Sequence, residues 1–220
     1  MMVRTAYIAI GTALSLAAVS SADPIGVTFN RITNNANNNI AGQLSCVITD
    51  EGGGIVKFRL QNNVGIASGV HEIYVDDTSH FGGIDHVFES TGVNYTQFGT
   101  NVNPGNLPAG NTVSFAANTA LSADAQGRGK DYLDALGEYL DMFYTLTGGT
   151  TWSDIEDGFG DGSIRVGMHV GGIAGGPGGP SDSFVSNPPP PPPVVIPLPS
   201  AGFAGLAGLG ALAALRRRIG

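Results

Sequence analysis

The chain has 220 residues, of which 42% are hydrophobic and only 13% are charged, and it contains 34 glycines. This length suffices for one domain with targeting segments, and low charge with many turn-forming residues favours an extracellular all-β domain over a cytosolic helical one. Residues 23–186 carry 18 acidic and 6 basic side chains, a formal charge of -12. That excess argues against a nucleic-acid partner, because binding to phosphates depends on basic patches.

The N terminus has the three parts of a secretory signal peptide in the expected order. Arg4 comes first, an apolar run follows at residues 6–19, and small residues lead up to Ala22 and Asp23. The run is shorter than the roughly 20 residues that a membrane-spanning helix needs, which disfavours the alternative of an uncleaved anchor. We therefore predict that residues 1–22 are a signal peptide, cleaved between Ala22 and Asp23.

Residues 23–186 alternate between apolar and polar side chains, as expected for β-strands with one buried face. Several short strands separated by turn clusters predict an all-β domain, specifically an antiparallel β-sandwich or a jelly-roll-like fold. Cys46 is the only cysteine, so a disulfide within the chain is excluded and a buried apolar role is expected. The predicted inward-facing sets are Ile25/Val27/Phe29, Val56/Phe58/Leu60, His71/Ile73/Val75, Ile84/His86/Phe88, Val113/Phe115/Ala117 and Ile164/Val166/Met168/Val170.

Two segments depart from simple alternation. Residues 132–146 combine helical and strand spacing, and we favour a strand over 138–146. Residues 151–159 predict a short helix that bridges two strands, because Ser153 and Glu156 have the spacing of a capping box. Three apolar side chains would share one face of this helix: Trp152, Ile155 and Phe159.

One stretch is rich in side chains that bind metals or transfer protons: His71, Glu72, Asp76, Asp77, His80, Asp85 and His86. A zinc site needs three or four ligands that converge on one point, and these histidines fall on different predicted strands and a loop. The paired carboxylates have the chemistry of an acid/base pair, but nothing in the sequence fixes their separation. Gly-x-Ser-x-Gly, His-Glu-x-x-His and phosphate-loop motifs are missing from the sequence. We therefore predict that the protein is not an enzyme and has no cofactor.

Calcium remains a minor alternative, because it prefers several oxygen ligands from loops. One candidate site is Asp76 with Asp77, and the other is Asp157 with Asp161. The second candidate does not have the ligand spacing or the closing glutamate of an EF-hand. The competing interpretation of all four side chains is that they are ordinary solvated turn carboxylates.

The C terminus begins with a linker and ends with three further parts. Residues 187–195 include six consecutive prolines, which favour an extended spacer. The motif Ile196, Pro197, Leu198, Pro199 follows within residues 196–200, and then an apolar run occupies residues 201–215. As a helix this run would be roughly 22 Å long, a marginal span for a hydrocarbon core of about 30 Å. The final arginines, which favour a cytoplasmic end, are Arg216, Arg217 and Arg218.

This order of proline motif, short apolar helix and arginine cluster resembles the PEP-CTERM sorting signal that exosortases recognise. Leu198 stands where the usual form of the motif has glutamate, which makes residues 196–220 a proline-leucine-proline variant. The resemblance implies a sorting enzyme in the membrane as partner. The preceding domain is similar to uncharacterised β-rich domains of such proteins at residues 73–77, 103–110, 163–170 and 181–185.

Together these features predict an exported, non-catalytic structural protein of the cell surface or of an extracellular biofilm matrix. The C-terminal helix would anchor it transiently in the inner membrane before processing. The expected partners are the secretion machinery, an exosortase-type enzyme and extracellular polysaccharide. A calcium- or carbohydrate-binding module is the alternative, which solvent-facing aromatic rings would favour. A secreted hydrolase is a further alternative, which convergent carboxylates in a cleft would favour.

Overall fold

The structure is a computed structural model that describes residues 22–95, 97–98, 102–125, 131–175 and 178–186. The predicted signal peptide up to residue 21, the linker at 187–195 and the sorting segment at 196–220 lie outside the described residues. The described elements are β1 (Ile25–Val27), β2 (Phe29–Arg31), β3 (Leu44–Gly52), β4 (Ile55–Asn62), β5 (Gly69–Asp76), β6 (Phe81–Glu89), β7 (Gln97–Phe98), β8 (Ala123–Asp124), β9 (Leu140–Leu146), α1 (Trp152–Asp161), β10 (Arg165–Gly171) and β11 (Asp182–Ser186).

These strands form two antiparallel sheets, which confirms the prediction of a mainly β domain. The first sheet has the order β1-β3-β4-β9-β6, and the second has the order β2-β11-β10-β5-β8-β7. The chain passes between the sheets repeatedly, and only Thr28 separates β1 in the first sheet from β2 in the second. Neighbours within each sheet are therefore mostly distant in sequence.

Side chains from both sheets share one hydrophobic core. In β4 the buried residues Val56, Phe58 and Leu60 alternate with the more exposed Lys57 and Arg59, as predicted. The second sheet contributes buried side chains from three of its strands: Ile73, Val75, Val166, Met168, Val170 and Phe184. Removing apolar surface from water in this way is the main stabilising term for such a domain.

The predicted inward face of β6 is wrong beyond Ile84. The pairing of β6 with β9 shifts register between Phe81 and Gly83 and again between Ile84 and His86. Each extra residue turns the following side chains to the opposite face of the sheet. As a result Val87 packs against the core, whereas His86 is exposed and Phe88 is 58% exposed.

The predicted strand over residues 113–117 is also wrong. A 3-10 turn occupies Gly110–Val113, and Val113 is 37% exposed. Phe115 is buried, but on the outer side of the second sheet, where it packs in a small separate cluster with Tyr74, Leu107 and others. This segment therefore covers the middle of that outer side instead of extending a sheet.

The strand and the helix predicted after residue 137 are present. The strand is β9, two residues shorter than predicted at its start. In α1 the capping box uses Thr151 and Asp154 rather than Ser153 and Glu156. The Asp154 carboxylate accepts a hydrogen bond of 2.7 Å from the backbone N–H of Thr151. The helix buries Ile155 and Phe159 and packs Trp152 partly against the core, as expected.

Candidate functional site

A cavity of about 590 Å³ lies at one end of the outer side of the second sheet. Its size is within the range of about 300–1,000 Å³ that is typical of small-molecule sites. Two histidines and Tyr132 supply its rings, Asp134 supplies a carboxylate, and glycines supply much of the remaining wall. We call the group His71, Tyr132, Asp134 and His169 the histidine pocket.

His71 reaches this pocket because β5 has a bulge. The pairing of β5 with β10 shifts register, so that Glu72 faces His169 while Val70 faces Val170. His71 is the extra residue between these pairs, and a bulge of this kind redirects a side chain. His71 was predicted to face the core, but it lies on the side that carries His169 and stacks on Tyr132.

Two glycines form the floor on which the pocket's rings lie. Gly69 and Gly171 are cross-strand partners in β5 and β10. A Cβ atom on Gly69 would lie 3.1 Å from Tyr132, and one on Gly171 would lie 2.8 Å from Nε2 of His71. Larger residues at these positions would therefore displace the stacked pair, whose ring centroids are 4.1 Å apart.

Burial and two nearby carboxylates set the electrostatics of the pocket. Glu72 hydrogen-bonds Nδ1 of His169 through one carboxylate oxygen. Burial lowers the pKa of His71 below its ordinary value, which the nearby Glu72 carboxylate only partly opposes. Burial and then the Glu138 carboxylate raise the pKa of Asp134. The lowered pKa favours the uncharged imidazole of His71, which is the form that binds metal ions.

The structure does not bring the first pair of calcium candidates together as ligands. The Asp76 carboxylate pairs with Arg165 at 2.5 Å and accepts a hydrogen bond from the backbone N–H of Ala116. The Asp77 side chain is buried and accepts hydrogen bonds from the backbone N–H groups of His80 and Phe81, and it lies 2.6 Å from Nδ1 of His80. Each carboxylate is thus engaged by its own structural partners.

The second calcium pair lies on α1. Asp157 and Asp161 are one helical turn apart, and both are exposed. Asp161 accepts a hydrogen bond of 2.8 Å from the backbone N–H of Ser163, which follows the end of the helix. Across the described part of the chain, no three His, Cys, Asp or Glu side chains converge in a metal-binding arrangement.

The targeting predictions concern mostly the chain ends. Ala22 and Asp23 belong to the described residues and precede β1. The motif residues Ile196–Pro199 and the arginines 216–218 fall outside the described ranges. Within those ranges, no helix has the length and apolar character needed to cross a membrane.

A second surface feature lies on the outer side of the first sheet, beside its β6 edge. His86 stacks on Phe143 with ring centroids 4.0 Å apart, and Phe88 stacks on Tyr139 at 6.3 Å. The side chain of His86 is 55% exposed, so both outer rings of these pairs face solvent. We call His86, Phe88, Tyr139 and Phe143 the aromatic face.

Two cations border the aromatic face. Arg59 lies over the Tyr139 ring, 4.3 Å from its centroid, and forms two hydrogen bonds of 2.8 and 2.7 Å with Asp141. Lys57 pairs with Glu51 at 2.5 Å and lies 5.9 Å from the Phe143 centroid. Charged groups therefore lie next to the flat rings of the aromatic face.

Comparisons of this chain with protein families, with curated proteins and with solved structures find no match. Sequence reasoning identified His71 and Glu72 but missed His169, Tyr132 and Asp134, which lie about 60 to 100 positions away in the chain. It also placed Phe88 in the core, and the only local indication of the aromatic face was the number of rings in β6 and β9.

Proposed function

We propose that this chain is an exported, non-catalytic protein of the cell surface or extracellular matrix, whose β-domain binds polysaccharide through the aromatic face. The two sheets around one core are interpreted as a β-sandwich of jelly-roll-like kind. Residues 1–22 act as the signal peptide for export, and residues 196–220 act as the sorting signal for an exosortase-type enzyme. Transient anchoring in the inner membrane precedes display or release.

The aromatic face is the observation that supports polysaccharide binding. Sugar rings carry apolar C–H groups on their faces and hydroxyls at their edges, so they stack on flat exposed rings. Grouped apolar side chains on a surface mark interaction sites, whereas single ones do not. The Arg59 side chain, which is 42% exposed and is held beside the rings by its two hydrogen bonds with the buried Asp141, supplies N–H donors for hydroxyls. The arrangement therefore suits a ligand that is apolar on one face and polar at its edge.

The spacing of the rings favours a chain of sugars over a single sugar. His86 and Phe88 are two residues apart in β6, which corresponds to roughly 7 Å along an antiparallel strand. Each ring has its own stacking partner in or next to β9. Successive units of one polysaccharide can therefore contact successive pairs of rings.

Calcium binding has less support than polysaccharide binding. The carboxylates of Asp76, Asp77 and Asp161 each accept a hydrogen bond from a neighbouring backbone N–H group. A calcium site needs six to eight oxygen ligands around one ion. The polysaccharide is therefore the ligand that we propose for the domain.

The binding experiment uses the full-length chain and polysaccharide extracted from the cells that make the protein, with cellulose, dextran and alginate as further probes. The double variant His86→Ala/Phe88→Ala should lose tenfold or more in affinity, measured by co-sedimentation or affinity electrophoresis. Leu136→Ala is the matched control, because Leu136 is 77% exposed but lies outside the aromatic face. Unchanged binding by the double variant, or equal loss in the control, would contradict the proposal.

A separate measurement tests the sorting part. The intact mass of the protein released outside the cell should lack the last 25 residues, and it should retain them when the sorting enzyme is deleted. Mature protein that still contains Arg216–Arg218 would refute sorting without affecting the binding proposal.

A further inference from the structure

Two imidazoles share the histidine pocket. His71 and His169 both line the cavity, and their ring centroids are 6.0 Å apart with an interplanar angle of 76°. A metal ion binds imidazole nitrogen at about 2.0–2.1 Å. Two such bonds on opposite sides of one ion, with about 1.2 Å added for each ring from its nitrogen to its centroid, give a centroid separation of about 6.4 Å, close to the observed value. The pair is therefore spaced for one ion between the rings.

Contacts with neighbouring residues hold both rings in place. Glu72 hydrogen-bonds Nδ1 of His169, which leaves Nε2 as the ligand atom. A carboxylate in this position is typical of metal-binding histidines, because it fixes the tautomer and the ring orientation. His71 is fixed differently, by its stack on Tyr132 and by the bare backbone of Gly171 beneath it.

The remaining features of the pocket suit a divalent cation. No lysine or arginine is among the described lining residues, whereas the Asp134 carboxylate is. A cavity of about 590 Å³ also leaves room for water ligands.

We propose that His71 and His169 bind one divalent transition-metal ion, with Cu²⁺ bound more tightly than Zn²⁺. Since no third protein ligand converges on the pair within the described residues, water completes the coordination. Cu²⁺ accepts a tetragonal set of nitrogen and oxygen ligands, and the general order of affinities places it above Zn²⁺. This site is independent of the polysaccharide surface.

The test titrates the full-length, metal-free protein with Cu²⁺ and Zn²⁺ in competition with a chelator of known affinity. The Cu²⁺ complex should show nitrogen hyperfine splitting from two imidazoles by electron paramagnetic resonance. His71→Ala and His169→Ala should each lower Cu²⁺ affinity at least tenfold and remove one nitrogen from the spectrum. His71→Gln keeps the size of the side chain and serves if His71→Ala does not fold.

His86→Ala is the matched control. His86 also stacks on an aromatic ring and pairs with a carboxylate, Asp85 at 2.7 Å, but among the described residues no ring contact joins it to another imidazole. This variant should bind Cu²⁺ as tightly as the unaltered protein. Glu72→Gln should lower affinity while retaining both nitrogen signals, because Glu72 positions His169 without touching the ion. Cu²⁺ binding that survives the loss of His71 or His169, or the absence of binding at millimolar Cu²⁺, would overturn the proposal.

Discussion

Replacing Phe58 by alanine should destabilise the domain more than any change on the aromatic face. Phe58 is fully buried in the centre of β4. Its ring makes edge-on contacts with Phe81 and Tyr144, at centroid distances of 5.4 and 4.8 Å, and a tilted contact with Phe159 at 5.7 Å. These contacts join β4, β6, β9 and α1, so the cavity left by the change would touch four elements.

The magnitude follows from burial and from ring contacts. Truncating a buried phenylalanine to alanine costs about 3–5 kcal/mol in total, and the three aromatic pairs lost here, each worth about 0.5–1.5 kcal/mol beyond area, place this change high in that range. We therefore expect a loss near the upper end, about 5 kcal/mol. For a domain of this size, each kcal/mol of lost stability lowers the melting temperature by about 2–4 °C. The melting temperature should therefore fall by roughly 10–20 °C.

The assay is equilibrium unfolding in urea, followed by circular dichroism, with Phe88→Ala as the matched control. Phe88 is 58% exposed, and an exposed truncation of this kind changes stability by about 0.5 kcal/mol or less. Similar losses of stability in the two variants, or a larger loss in Phe88→Ala, would mean that Phe88 is buried. In that case β6 would have the register predicted from its sequence, without the bulges between β6 and β9.

Two further predictions concern the helix and the lone thiol. Gly160→Ala should stabilise the protein by about 0.5–1 kcal/mol, because a Cβ there meets nothing within 4 Å. Gly158→Ala in the same helix should leave the melting temperature unchanged or lower it, because its Cβ would lie 2.6 Å from buried Ile164. An equal rise in melting temperature for both variants would contradict this packing. Burial raises the pKa of the Cys46 thiol, so little of the reactive thiolate forms in the native protein. A thiol reagent at pH 8 should therefore label Cys46 only after unfolding. Rapid labelling of the native protein would place Cys46 outside the core.

The parts of the fold that local pattern determines were predictable. In β4 every second side chain from Val56 is buried, and nothing in the pairing of that strand with β9 disturbs the alternation. In β6 the same kind of pattern gave the wrong face after Ile84, because the register shifts arise from pairing with β9, more than fifty residues later. A bulge is decided by two strands together, so one strand's sequence does not reveal it.

The histidine pocket shows the same limit. His71 and Glu72 stand out in the sequence, yet Glu72 bonds His169, 97 positions away. The bulge that redirects His71 is again a property of the β5–β10 pair. The types of residue in the sequence therefore indicated where metal-binding and titratable side chains cluster. Which side chains they contact depended on the topology of the second sheet.

The pairing of β2 with β11 bears on the export that we propose for this chain. Phe29 lies opposite Ser186 and Arg31 opposite Phe184, so the second strand of the domain is hydrogen-bonded to its last one. The second sheet cannot close until residue 186 has left the ribosome, and closing it requires a loop of about 150 residues, which makes folding slow. A chain that stays open until its last strand arrives is suited to threading through a secretion channel unfolded. Truncation before β11 would leave β2 and β10 as unpaired edges, which are prone to aggregate.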